Sequence, residues 1–352
     1  MPFDSPFPIP VRSRTRPVAF WLFGMAGMIL VMVTLGGATR LTGSGLSIME
    51  WAPLMGTLPP LSDAEWHRLY TLYQQIPQYV QVNHGFGLDG FKGIFWLEWT
   101  HRLWGRLMGV AFLVPLIVFT VQGRLRGGLA WRLMGLLALG GMQGLVGWLM
   151  VSSGFEADRL AVSPYRLVAH LALAVTLYAA ILWTALGLWS QGRAGISRVS
   201  HRMAALTCTF VAITILAGGF VAGLKAGLTY NSFPLMDGRL VPEGYGTLHP
   251  MYINLFENVA AVQFDHRLLA TITAVLATAT VLVGLRRGGP RTALVSLGAA
   301  VLMQYALGVV TLLWAVPLAL GTAHQTVAII LLTAALVVLH GSRGQPAVPV
   351  RA

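Results

Sequence analysis

Of the nine histidines in the chain, His101, His170, His266 and His324 sit inside long apolar runs, at matching places in two related halves. Neutral imidazole is a good metal ligand, and two facing imidazoles make an axial pair for haem iron. An ionisable side chain within hydrocarbon is costly and usually functional. Four of them in repeat register are hard to explain as hydrogen-bonded core residues, so the sequence predicts haem ligation. Zinc or copper fits less well, because no cysteine or carboxylate companions supply a closed tetrahedral set. The other histidines, His67, His84, His201, His249 and His340, fall in loops or at helix ends and are read as solvated or interfacial.

The repeat is visible by offset. Gly36-Gly37 matches Gly218-Gly219, Gly45-Leu46-Ser47 matches Gly227-Leu228-Thr229, and Pro53-Leu54-Met55 matches Pro234-Leu235-Met236. His101 then aligns with His266, Gln143 with Gln304 and His170 with His324. His170 and His324 each follow a helix carrying Gln-x-x-x-Gly, at Gln143/Gly147 and Gln304/Gly308. The economical pairing is His101 with His170 and His266 with His324, one site per half. Arg102, Arg106, Arg166 and Arg267 lie close to these histidines in sequence and are candidate partners for haem propionates, since arginine forks suit carboxylates. The halves differ at one telling slot, where Glu98 stands in the first and Gln263 in the second. Glu98 is three residues before His101, so both project from one helical face. A carboxylate there can move protons or stabilise a developing cation, which an amide cannot do. The first half therefore reads as reactive and the second as a permanent electron-transfer haem.

The elements that must position these groups follow from composition. The chain has 352 residues, 56% hydrophobic and 10% charged, with mean hydropathy +0.69. That is an all-α polytopic membrane protein. Eight transmembrane helices are predicted, near 18–38, 94–120, 130–151, 165–189, 203–223, 265–285, 292–315 and 320–340. They form two parallel four-helix-bundle repeats, 1–190 for the first site and 191–352 for the second, since each repeat holds an even number of spans. The net charge of +12 suggests nucleic acid at first sight, but its distribution excludes that. With the N-terminus inside, the short inner segments hold Arg12, Arg14, Arg16, Arg124, Arg126, Arg132, Arg193, Arg198, Arg202, Arg286, Arg287, Arg291, Arg343 and Arg351, whereas of the acids only Asp4 lies there. The positive-inside rule gives N-in and C-in, with the histidines toward the outer side. The first span is read as retained. The one cysteine, Cys208, excludes an intrachain disulfide.

At these residues the chain resembles the haem A synthase family, in its mitochondrial and alphaproteobacterial, cysteine-free type. The stretches that carry the resemblance run from Gly36 to Trp51 (Gly-Gly-Ala-Thr-Arg-Leu-Thr-Gly-Ser-Gly-Leu-Ser-Ile-Met-Glu-Trp) and from Phe91 to Arg102 (Phe-Lys-Gly-Ile-Phe-Trp-Leu-Glu-Trp-Thr-His-Arg). A third pairs Asn254-Leu-Phe-Glu-Asn258 with Gln263-Phe-Asp-His-Arg267. The resemblance implies oxidation of the C8 methyl of haem O to a formyl group, giving haem A for cytochrome oxidase biogenesis. It implies that His101 and His170 hold the substrate haem O, that Glu98 assists methyl oxidation, and that His266 and His324 hold the iron of a haem b cofactor. It places the chain in a bacterial inner membrane with its haem sites near the periplasmic side. Haem O synthase and cytochrome oxidase assembly factors are then candidate partners, and self-association stays open. The first outer loop lacks the cysteine pair that some bacterial members carry. Whether an axial ligand leaves during turnover, or electrons and protons are removed at the methyl, stays open at this stage. The competing expectation is a b-type cytochrome that only relays electrons, as in a quinol oxidoreductase subunit; the Glu98/Gln263 asymmetry argues against it. A repeat-built transporter would break its helices at midplane, whereas here the polar residues crowd the outer ends.

The arginine bias makes a direct prediction about topology. Reporter fusions after residues 125, 195 and 288 should read cytoplasmic, and fusions near 70, 157 and 245 external. An external reading at 195 would overturn the parallel-repeat arrangement and the shared depth of the histidines.

Overall fold

A computed structural model describes residues 11–52, 55–189 and 198–343. Pro53, Leu54, Arg193 and Arg351, used in the repeat and topology arguments, lie outside the described residues. Eleven α-helices are present among those described: α1 Val11–Leu41, α2 Asp63–Tyr73, α3 Pro77–Gln81, α4 Leu88–Val121, α5 Gly128–Ser152, α6 Pro164–Trp189, α7 Arg198–Gly223, α8 Asn254–Glu257, α9 Val259–Arg286, α10 Arg291–Leu313 and α11 Leu318–Gly341. Eight of them (α1, α4, α5, α6, α7, α9, α10 and α11) are long and apolar enough to cross a membrane, matching the predicted spans in number and order. Only helices can satisfy every backbone group in hydrocarbon without outside partners, and apolar runs of this length have no cheaper solution.

The spanning helices start and stop where the local chemistry dictates. Asn258 caps α9, its Oδ1 accepting from the backbone N–H groups of Ala260 and Ala261 at 2.9 and 3.1 Å. That places the helix carrying His266. Proline stands at the N-cap of α10 and α11 and opens α6, where a missing N–H costs nothing. Several helices begin before the predicted apolar edge, α1 at Val11 rather than 18 among them. α4 starts at Leu88 rather than 94 and α9 at Val259 rather than 265, because helix continues into the polar cap where hydropathy no longer reports it.

Within residues 11–189 the spans touch in a closed order, α1 on α4, α4 on α5, α5 on α6 and α6 back on α1. Residues 198–341 repeat the order with α7, α9, α10 and α11. The two sets meet along a seam where α6 lies on α7, α11 on α1, and α6 on α11. The deepest packing follows that seam: Val18, Leu22 and Ile29 of α1, Ile181 of α6, Val211 of α7 and Ile329 and Leu332 of α11 are all nearly inaccessible. The outer faces of α4 and α5 turn Val110, Val114, Ile117 and Leu145 outward, as expected of surfaces that meet lipid chains. Since lipid is as apolar as leucine, association must draw on close packing and interhelical hydrogen bonds. The seam supplies both. Thr34 and Thr326 pair their hydroxyls at 2.8 Å, Gln325 donates to the carbonyl of Val33 at 3.0 Å, and Tyr178 meets Thr333 at 2.6 Å.

The connection between α1 and α4 is a folded cap, with two helices, α2 and α3, that hydropathy could not show. Ser62 caps α2 by accepting from the N–H of Glu65 at 3.2 Å; the Ser-x-x-Glu spacing was the available signal. Trp66, Leu69, Tyr73 and Ile76 from the cap close on Phe91 and Phe95 from the extended start of α4. Arg68 holds Glu50 and Glu65 together on the cap surface. Its hydrogen bonds to those carboxylates keep both below the usual carboxylate range.

Candidate haem sites and their loop clamps

Each of the four histidines faces a glycine on the preceding span. A Cβ added at Gly36 of α1 would stand 3.2 Å from Nε2 of His101 on α4, and one at Gly147 of α5 would stand 2.8 Å from Cε1 of His170 on α6. In the second half the corresponding distances are 3.0 Å for Gly218 and His266 and 2.9 Å for Gly308 and His324. An imidazole between two helices therefore needs the space a side chain would fill. This gives physical content to the Gly-Gly pairs and Gln-x-x-x-Gly motifs found by offset. The second glycine of each Gly-Gly pair serves the seam instead: Gly37 receives Gln325 of α11, and Gly219 receives Val168 and Leu171 of α6.

Electrostatically, His170 acts on His101 and His324 on His266. His170, His266 and His324 each bury an Nδ1 that has no hydrogen-bond partner. Buried polar atoms are normally satisfied, so these orphans mark rings presented for a ligand. Gln143 sits beside His170, its Nε2 3.3 Å from the ring Nε2 and donating to the His170 carbonyl at 3.1 Å. Among the described residues no three His, Cys, Asp or Glu side chains gather into a metal cluster. The donor set is imidazoles in pairs, which fits haem and not a tetrahedral ion. Three of these histidines lie six or seven residues inside their helices, counting from Pro164, Val259 and Leu318; His101 lies deeper in α4 because of the extension from Leu88.

Beside each pair a polar clamp fixes the loop that follows the half's first span. Glu98 is only 2% exposed, and both its oxygens are engaged. Oε2 accepts from the Ser47 hydroxyl at 2.7 Å and the Ile48 N–H at 2.9 Å, while Oε1 accepts the Arg102 fork at 3.0 and 2.6 Å. Arg102 reaches on to the carbonyls of Ile48 and Glu50, and Arg106, one turn later, donates to Ala52 at 2.9 Å. The second half holds its loop from the same slot without the charge and with the hydrogen bonds reversed, the side chain donating to the loop. Gln263 donates to the carbonyls of Ala226 and Tyr230 at 3.0 and 3.2 Å and accepts from Arg267 at 3.3 Å. Arg267 donates to Ser232 and Tyr230 at 2.9 and 2.8 Å. The i,i+4 spacing of Glu98/Arg102 and Gln263/Arg267 puts each pair on one helix face, and the loop folds over it. Arg166, by contrast, is exposed, donating to Leu149 at 2.7 Å and lying 3.8 Å from Glu156.

The structure thus gathers Glu98, Arg102 and Arg106 on α4 with His101 and sets Arg267 with His266, leaving Arg166 on the rim. Sequence reading named the arginines as propionate partners, whereas their visible acceptors are carboxylate and loop carbonyls. It missed Ser47 as a donor to Glu98, although the match of Ser47 with Thr229 carried the signal. Of the remaining histidines, His67 is exposed on α2, His201 meets Ser342 at 2.8 Å, and His340 stands edge-on to Trp183 with ring centroids 4.9 Å apart. Next to His266, Asp265 accepts from Tyr245 at 3.2 Å.

The chain matches the cytochrome oxidase assembly protein family (COX15-CtaA) over residues 19–336. It is 61% identical over 342 residues to the protein named heme A synthase from Granulibacter bethesdensis, covering 95% of this chain and 90% of that one. It is 46% identical to the heme A synthase of Nitrosospira multiformis, with 94% of each covered. Against the heme A synthase of Caulobacter vibrioides it is 47% identical, with 92% of this chain and 95% of the relative covered.

The glycine contacts can be tested by adding one methyl. Gly308→Ala places a carbon at 2.9 Å from His324 Cε1, so the ring must move. Overpacking of this kind costs about 1–3 kcal/mol, equivalent to roughly 5–150-fold in haem affinity if it falls on the bound state. Gly298→Ala on the same helix meets only ordinary contacts with Val281 at 3.8 Å and beyond and should keep its pigment. Absorbance per protein after detergent washing measures both variants, and equal retention in the two would refute the steric role.

Proposed function

We infer the function from one premise: the chain belongs to the cytochrome oxidase assembly protein family, and its relatives over nearly the whole length are heme A synthases. It is a multi-pass membrane oxidoreductase that converts haem O to haem A for cytochrome oxidase assembly. The division of labour within the chain is our reading. Residues 1–190 form the substrate half, with His101 and His170 holding haem O. Residues 191–352 form the cofactor half, with His266 and His324 holding haem b. The two halves stand as parallel four-helix repeats in a bacterial inner membrane, N-in and C-in, with both sites toward the periplasmic side. The inner arginines and the repeated order of helix contacts support this.

The observation that carries the assignment is the pair of clamps, alike in place and different in charge. Both hold a loop over their site, so holding the loop does not require a carboxylate: Gln263 does it with an amide. The negative charge of Glu98 is therefore the feature peculiar to the first half, where the haem O methyl is to be oxidised. When bound, haem b supplies one-electron redox chemistry beside the substrate site. The residues of the chain do the rest. His101 and His170 set the height and tilt of the substrate, the loop from Ser47 to Ala52 covers the site, and the clamp keeps that loop down. With Ser47, Ile48 and Arg102 occupying both oxygens, Glu98 acts as a fixed negative charge that stabilises positive charge developing at the methyl carbon. Arg102, Arg106, Arg166 and Arg267 remain candidate propionate partners in addition to the contacts they make within the protein. A relay cytochrome would have no use for an acid in one clamp and an amide in the other.

Glu98→Gln tests the reading. Removing one partner of a buried ion pair often costs about 3–5 kcal/mol; the amide oxygen can go on accepting from Ser47 and Ile48, and retained haem b shows that the variant is folded. Resident haem b should stay, haem O should accumulate, and haem A formation should fall by about 10²–10⁴-fold, the usual loss for a positioned ionisable group. Chromatography of extracted haem provides the measurement. Near-normal haem A from Glu98→Gln would return Glu98 to a purely structural ion pair.

A further inference from the structure

Arg40 is the ionisable residue of the first span that neither clamp uses. It occupies the last turn of α1, four residues beyond Gly36, so it shares a face with the glycine that receives His101 and lies one turn outward from it. Its Nη1 donates to the carbonyl of Ala222 on α7. Ala222 in turn lies four residues beyond Gly218, the glycine that receives His266. The guanidinium therefore bridges the two halves at a level about 5.4 Å, one helical turn, outward of both ring contacts.

Its chemistry is unfinished. Nε is buried without a hydrogen-bond partner. Among the described residues no carboxylate forms an ion pair with it; the ion pairs there involve Arg68, Arg102, Arg159, Arg166 and Arg239. The one acceptor in view is a neutral carbonyl. A cation within a membrane span is normally paired or faces a functional cavity, and a guanidinium with a free edge suits a carboxylate. Arg102, by contrast, commits its whole fork to its clamp, and Arg267 commits both terminal nitrogens although its Nε is also buried without a partner.

We propose that Arg40 is an anion-binding residue shared by the two halves, taking a carboxylate of a haem bound beside the seam and placing one positive charge between the two sites. This rests on the assignment of haem to the histidine pairs. The same charge is felt by the iron in either half.

The test compares purified wild type, Arg40→Lys and Arg40→Gln by pigment per protein, elution as a single species, and the midpoint potential of the haem held by His266 and His324. Glutamine can still donate to Ala222 but lacks the charge; lysine keeps the charge. The expected result is a lower potential in Arg40→Gln, because losing a nearby cation favours oxidised iron, with Arg40→Lys close to wild type. Loss of pigment in Arg40→Gln alone would equally support the charge requirement. Wild-type potential in Arg40→Gln at full occupancy, or equal loss of pigment in both variants, would overturn the proposal in favour of a structural hydrogen bond. A wild-type protein without haem b would instead sink the cofactor-half assignment, and the Arg40 proposal with it.

Discussion

An imidazole held between two membrane helices needs room at the level of the backbone, and the arrangement of this protein depends on meeting that need four times. Gly36, Gly147, Gly218 and Gly308 each leave the space a Cβ would occupy, with the ring of His101, His170, His266 or His324 within about contact distance of it. Close helix approach at small residues is a general source of association in lipid, where burial of apolar surface gives no net gain. Here the same approach fixes the height and rotation of the rings. The Gly-Gly pairs extend the principle, since one glycine serves the site of its own half and the next serves the seam with the other half. Site and seam are thus held in register by adjacent residues of one helix.

The clamps add a second layer on this frame. In hydrocarbon or at its edge, a loop over a site carries backbone carbonyls that need donors. Arg102, Arg106 and Arg267 supply them from the helix that also bears the histidine. The loop-holding task is solved once with Glu98, which accepts from its loop, and once with Gln263, which donates to its own, so a clamp at this slot does not require a carboxylate. The difference links one residue type to a difference in chemistry between the halves.

Much of this was legible in the sequence because it is written in period and repeat. Apolar runs gave the spans, the offsets singled out the four histidines, and the slot shared by Glu98 and Gln263 gave the asymmetry. The rest depended on direction, which spacing alone does not carry. Nothing in the pattern of Arg102 shows that its fork turns to Ile48, Glu50 and Glu98, nor that Arg40 crosses to Ala222. The cap helices were hidden for another reason. Residues 63–73 hold too few apolar positions to register in a hydropathy window, and only the Ser62–Glu65 capping pattern announced them.

The central claim is that one half of this chain oxidises a haem while the other keeps one. The most direct measurement is chromatography of haem extracted from the purified protein, expressed with and without a source of haem O. The account predicts haem b in both preparations, and haem O together with haem A only when haem O is supplied. Haem b alone in both would contradict it and leave an electron-relay cytochrome.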